Sequence, residues 1–223
     1  MVEPIKTAVL LCGGYGKYFG KNKGLIEYKQ KSMISHVLRA LKKTSVSNLI
    51  VKTNYESRKI IFEEVKRYFK NFTFINKKPK TMRYCIMELS KYLDDKPFFV
   101  VVGNNPMKED YLLNLEKIRE CEDEWVVSLY DKCICDEKCG VDIDNQNNII
   151  IKKRSRFILQ HPFIITKDII KYQKNTNFNE KIEFNLRNLV GKRKIKGVIS
   201  NMPPEFDNNK MLERTKKFID LLN

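Results

Sequence analysis

The chain has 223 residues, 42% hydrophobic and 31% charged; this balance supports a sizeable core and argues against intrinsic disorder. Its 43 Lys and Arg against 27 Asp and Glu give a formal charge of +16, which points to an anionic partner. No apolar run approaches the ~20 residues needed to cross a bilayer, the Met1–Lys6 start reads as too short and polar for a secretory signal, and six scattered cysteines (12, 85, 121, 133, 135, 139) read as reduced thiols of a cytoplasmic compartment.

In chain order, Thr7–Leu11 is a short buried strand followed by a glycine-rich loop. Ser32 then caps a helix whose apolar face is Met33, Ile34, Val37, Leu38 and Leu41. Asn48–Thr53 is a strand, and residues 56–70 a helix with Ile60, Ile61, Val65 and Phe69 inward. Phe72–Ile75 is a strand, and Thr81–Leu93 a helix with Met82, Cys85, Ile86 and Leu89 on one side. Pro97–Val102 is the most apolar strand and is placed at the centre; residues 109–120 are helical and Trp125–Tyr130 is a strand. This alternation predicts an α/β fold with a mostly parallel, helix-covered sheet. Beyond residue 139 the pattern changes to a hairpin turning at Asn145–Asn148, a strand over Phe157–Thr166, helices near 167–175 and 178–190, a strand over Lys194–Ser200 and a terminal helix over 207–222. With no linker, repeat or low-complexity tract, residues 1–223 read as one domain, a first half (1–130) elaborated by a second (131–223).

Charge is unevenly spread. Residues 1–93 hold 20 basic and 6 acidic side chains, residues 94–144 hold 6 and 14, and residues 150–197 hold 13 and 3. Two basic segments flanking an acidic one fit a phosphate-collecting site or a nucleic-acid surface, set against lysines that merely decorate solvated faces.

The loop Cys12-Gly13-Gly14-Tyr15-Gly16-Lys17-Tyr18-Phe19-Gly20-Lys21-Asn22-Lys23 carries the most information. Glycines directly after a buried strand let backbone amides approach a phosphate without Cβ obstruction. Lys17, Lys21 and Lys23 add cations at short range, as a triphosphate requires. The loop matches neither G-x-x-x-x-G-K-[ST] nor G-x-G-x-x-G, and a glycine-rich connector with lysines in water is the plain alternative.

The segment LLCGGYGKYFGKNKGLIEYKQKSMISHVL resembles the opening of the sugar-phosphate and MobA-like nucleotidyltransferases. SNLIVKTNY, PFFVVVGNNP, EKCGVDIDNQNNIIIKKRS, QHPFIITKDII and PPEFDNNKMLERTKKFI are similar to later segments of that family, in the same order. The resemblance implies a Rossmann-like GT-A fold: a three-layer α/β/α sandwich with a mixed, mostly parallel sheet and a small β-hairpin elaboration. It also implies a cytoplasmic transferase of sugar nucleotide biosynthesis, often a homo-oligomer. In its reaction an NTP α-phosphate is attacked by a phosphorylated acceptor and pyrophosphate leaves.

Residue by residue, the resemblance implies that Leu11, Cys12, Gly13, Gly14 and Gly16 line the nucleotide, with Lys23 and Lys17 as the catalytic cations. A loop Arg of the family falls at Tyr18, and Lys17 could supply its charge without its bidentate fork. Thr81 matches the base-recognising segment, where Met82 and Arg83 are larger than expected. Lys153 and His161 fall on the acceptor side. Mg²⁺ would be held by Asp207 and by the residue at Asn104, where the family has an Asp; a neutral amide is a weak Mg²⁺ ligand, and Glu109 and Asp110 lie a turn further on. Asp207 also reads as an N-cap of the last helix.

Other features tempt. Cys133-x-Cys135-x-x-x-Cys139 offers three thiols where a structural zinc site wants four ligands. His36 reads as a satisfied helix histidine, and Asp142-Ile143-Asp144 as a turn rather than a glycosyltransferase D-x-D. Three functions compete: an active nucleotidyltransferase with an altered metal site, a catalytically degenerate relative used for binding or assembly, and a glycosyltransferase or nucleic-acid binder, the last resting on charge alone.

Overall fold

A computed structural model describes residues 2–16, 18–77, 82–122, 124–135, 140–151, 155–169, 189–200, 202 and 208–222. Strand β1 (Thr7–Cys12) leads into two small hairpins, β2 (Tyr15–Gly16) with β3 (Lys21–Asn22) and β4 (Glu27–Tyr28) with β5 (Lys31–Ser32), separated by a 3-10 turn over Lys23–Leu25. Helix α1 (Met33–Lys42), β6 (Asn48–Thr53), α2 (Arg58–Lys66), β7 (Phe72–Asn76), α3 (Met82–Leu89), β8 (Phe98–Val102) and α4 (Tyr111–Lys117) follow. Then come β9 (Trp125–Cys135), β10 (Gly140–Ile143), β11 (Ile149–Ile150), β12 (Ser155–Ile165), β13 (Ile195–Ser200) and α5 (Asn209–Asp220).

Strands β8, β1, β6 and β7 lie side by side and run parallel. The first three are almost wholly buried, as strands covered on both faces must be. Alternation divides their side chains between two cores. Ala8, Leu10, Leu49, Val51, Phe99 and Val101 pack with Ile34 and Leu38 of α1, Ile61 and Val65 of α2 and Leu112 and Leu115 of α4. Val9, Ile50, Phe98 and Val100 pack on the opposite face with Ile86 and Leu89 of α3. Helices therefore cover both faces, and the expected three-layer α/β/α sandwich with a mixed, mostly parallel sheet is the fold observed.

The second half joins differently from the simple alternation. The eleven-residue β12 pairs antiparallel with β8 through Phe163–Ile165 and with β9 along most of its length. It thereby separates two strands that are consecutive in sequence. β13 then pairs parallel with β9. β10 and β11 form the expected hairpin. Asp144 accepts bonds from the Gln146 amide (2.8 Å), the Asn148 amide (2.8 Å) and Asn148 Nδ2 (2.9 Å), so this carboxylate builds a turn, as expected.

Several local expectations are corrected. Ile60, expected inward, is 61% exposed, because the buried stripe of α2 runs through Ile61, Val65 and Phe69 at fourfold spacing. Ser32 precedes α1, but its hydroxyl makes no capping bond; it meets Ser35 Oγ instead (2.7 Å). The cap of α5 is Asn208, whose Oδ1 accepts from the Met211 amide at 3.0 Å, and not Asp207. The helices expected near 167–175 and 178–190 fall largely on residues outside those described, as do Cys139 and the side chains of Cys133 and Cys135.

His36 is buried on α1, but its Nε2 finds no hydrogen-bond partner among the described residues, contrary to the satisfied histidine expected. A cavity of about 40 Å³ lined by His36, Arg39, Met107, Glu109 and Leu222 adjoins it, large enough for one water. Burial, with Lys31 and Arg39 nearby, pushes the imidazole pKa down to about 4. The unfolded chain then binds a proton that the native chain refuses between about pH 6.5 and 4, so this contribution to stability is complete above ~6.5 and lost as pH falls. Urea unfolding at about pH 7 and 4.5 should show His36→Gln losing less stability on acidification than the wild type, by up to ~3 kcal/mol.

Candidate functional site

The parallel strands end level. Register places Cys12 beside Thr53 and Thr53 beside Asn76, so the carboxyl rim of β1, β6 and β7 is a straight ledge. Such a rim is where ligands bind in open α/β sheets. Two amide side chains and one hydroxyl tie the ledge to the glycine loop. Asn22 Nδ2 donates to the Cys12 carbonyl while its Oδ1 accepts from the Gly24 amide at 2.9 Å. Thr53 Oγ1 also reaches the Cys12 carbonyl (3.5 Å), and Asn54 Nδ2 donates to the Gly13 carbonyl (3.2 Å). From β8, the Gly103 amide donates to the Leu11 carbonyl at 2.9 Å, and Asn105 Nδ2 donates to the His161 carbonyl of β12 at 2.9 Å.

The Cys12 and Gly13 carbonyls are thus occupied, while the amides of Gly13 and Gly14 find no acceptor among the described residues. Gly13 is buried as a residue and Gly14 is exposed. Further along, the Gly16 carbonyl accepts from the Phe19 amide (2.8 Å) and the Gly20 amide (3.0 Å). A Cβ at Gly16 would lie 2.8 Å from the Lys21 carbonyl oxygen and 2.9 Å from Lys23 Cγ. Only glycine admits this approach, which seats the Lys23 stem against the loop and leaves the residue buried. Gly24 in turn packs closely on Gly103, whose carbonyl oxygen would lie 3.3 Å from a Cβ added at Gly24, so the turn carrying Lys23 rests on the strand that leads to Asn104.

Of the sequence-predicted residues, Leu11, Cys12, Gly13, Gly14, Gly16, Lys23 and Asn104 gather along this rim, and His161 is joined to it through Asn105. His161 is buried, its ring 4.3 Å from that of Phe163. Tyr18 projects into solvent at 83% exposure. Lys17, Thr81, Lys153 and Asp207 lie outside the described residues. Burial raises the Cys12 thiol far above its ordinary pKa, so it is a packing group and no nucleophile. Sequence reasoning missed Asn22, Asn54 and Asn105; their signal was an amide side chain at or within three residues of a strand end. It also missed Lys52, a lysine within the otherwise apolar NLIVKT, whose Nζ lies 3.0 Å from Glu88 Oε2 of α3. Burial works to raise the Glu88 pKa, but its bonds to Lys52 and Lys77 outweigh that and hold the carboxyl below its usual range.

The described donor set does not fit Mg²⁺. Asn104 offers a neutral amide. Glu109, a nearby carboxylate that could have replaced the missing Asp, is held by Arg39 (2.5 Å) and Lys43 (3.6 Å). Among the described residues no group of three or more His, Cys, Asp and Glu is gathered as a metal would need.

Over its whole length the chain shares its fold with solved proteins named for nucleotidyl transfer. Residues 8–81 match the family model of the MobA-like NTP transferase domain, so the resemblance read from the opening segments is borne out there. The chain is similar to the inositol-1-phosphate CTP transferase from T. maritima, at 16% identity and a TM-score of 0.79, covering 100% of this chain and 98% of that one. It is also similar to a UDP-glucose pyrophosphorylase solved with UDP-glucose, at 13% identity and a TM-score of 0.72 over 98% and 100% of the two chains. HddC from Yersinia pseudotuberculosis gives 18% identity and a TM-score of 0.69 over 96% and 100%. No curated protein matches the chain significantly. Among the described residues no helix is long and apolar enough to cross a membrane.

Two glycine substitutions test the loop's packing. Gly16→Ala should cost ~1–3 kcal/mol by urea unfolding, since the new methyl meets backbone. Gly14→Ala, where a Cβ meets nothing within 4 Å, should stay within about 0.5 kcal/mol of wild type.

Proposed function

We propose that the chain binds the triphosphate of an NTP on the Gly13–Lys23 loop and transfers its NMP group to a phosphorylated metabolite, a sugar phosphate in the first instance. A phosphate oxygen of the acceptor forms a bond to the α-phosphorus, the bond to the β-phosphate oxygen breaks, and pyrophosphate leaves with that electron pair. The observation that carries this reading is the pair of undonated amides at Gly13 and Gly14, beside the Lys23 stem seated on Gly16. Backbone donors and an ammonium group at a strand's carboxyl end suit the oxygens of a phosphate chain. Two reactants held in line need no protein nucleophile; proximity and neutralised charge carry the rate. The match of residues 8–81 to an NTP transferase family and the likeness to structures named for nucleotidyl transfer support the same reading. Thr81 would face the base, Lys17 the phosphates, and Lys153 and His161 the acceptor.

A second reading, a catalytically degenerate relative that binds nucleotide without turning it over, is favoured by the amide at Asn104 and by the pairing of Glu109 with Arg39 and Lys43. Pyrophosphate release measured over four NTPs and a panel of phosphorylated acceptors separates the two. Release with one pair supports transfer; NTP binding by calorimetry with no release from any pair supports the degenerate reading; absence of binding and release rejects both. In the calorimetry, Lys23→Met should weaken NTP affinity by about tenfold or more, in line with the loss of a charge-assisted contact.

A further inference from the structure

Next to the glycine loop, the same ledge carries a charged cluster for which the loop has no use. Lys52 is 1% exposed in the middle of an apolar sheet, at the register position between Leu11 and Ile75. Its Nζ lies 3.0 Å from Glu88 Oε2 and donates to the Lys77 carbonyl at 3.5 Å. The other Glu88 oxygen lies 3.4 Å from Lys77 Nζ. One buried lysine thus reaches the Lys77 main chain and, through an ion pair with Glu88, is linked to the Lys77 ammonium group, whose side chain is 60% exposed.

The position of Lys77 gives this arrangement its interest. Beyond the row Cys12–Thr53–Asn76, the next row of the ledge is Gly13, Asn54 and Lys77. Asn54 Nδ2 joins the first two at 3.2 Å, and the Lys77 amide donates to the Thr53 carbonyl at 3.3 Å. Adjacent strands are ~4.8 Å apart, so Lys77 stands two spacings, about 10 Å, along the ledge from Gly13. A nucleoside whose phosphates lie on the glycine loop spans that distance. A buried ion pair adds little net stability over apolar side chains of similar volume; what it does supply is position.

We propose that Lys52 is a positioning residue for nucleobase selection: through Glu88 it holds the carbonyl and ammonium groups of Lys77 where the base of a loop-bound NTP meets the ledge. This inference rests on the nucleotide-binding reading above. Beyond its bond from Lys52 and its pair with Glu88, Lys77 keeps a second carbonyl lone pair and exposed ammonium donors for a base edge, and a site built from such groups discriminates strongly only while they are held in place.

Calorimetry of the full chain with ATP, CTP, GTP, UTP and inorganic triphosphate tests it, using wild type, Lys52→Met and the double variant Lys52→Met/Glu88→Leu. The double variant removes both charges together, so no lone ion is left buried. The wild type should bind triphosphate and prefer one base. In both variants that preference should shrink by about tenfold or more while triphosphate affinity stays within about twofold, an effect on selection that a merely structural role would not give. Equal weakening toward all five ligands, or a preference unchanged in either variant, overturns the inference. A wild type that binds the four nucleotides equally also overturns it and leaves the loop reading standing. A wild type that binds neither nucleotide nor triphosphate overturns the loop reading, and this inference with it.

Discussion

One buried amide side chain holds the site together. Asn22 bonds the last carbonyl of β1 with its nitrogen and the Gly24 amide with its oxygen, folding the glycine loop back onto the strand it came from. Because this closure is made by a side chain, the main-chain amides at Gly13 and Gly14 are left for something else. It also fixes where the turn at Lys23 begins, and therefore where that ammonium stem lies against Gly16. A side chain that lacked either the donor or the acceptor could not serve both bonds.

Around that closure, the rim is built from neutral amides and lysines. Asn22, Asn54, Asn104 and Asn105 are all buried there, and carboxylates on nearby elements are paired with bases: Glu109 with Arg39 and Lys43, Glu88 with Lys52 and Lys77. Among the described residues these amides are neutral and these carboxylates are each balanced by bases. The same composition explains why the described residues make a poor Mg²⁺ site.

Much of this was legible in the sequence. The stripe Met33, Ile34, Val37, Leu38, Leu41 recurs at helical spacing and is buried throughout α1. The run PFFVVV lies at the centre of the sheet, as its lack of any polar face requires. The loop from Gly13 to Lys23 stood out as a candidate because glycines and lysines are concentrated directly after a buried strand. Ile60 was misplaced because it adjoins the buried stripe Ile61, Val65 and Phe69 and shares its apolar character without its phase. His36 was read as satisfied because its apolar neighbours show burial but say nothing of what its second nitrogen meets.

The sequence by itself determined which segments are strands and helices, which faces are apolar, and that amides and cations cluster after β1, because these depend on residues a few positions apart. Only the tertiary structure decided that β12 inserts between β8 and β9, that Asn105 meets His161 across 56 residues, and that Lys52 finds Glu88 across an intervening strand. Those pairings are chosen by the packing of whole elements against one another, and no local period records which elements will meet.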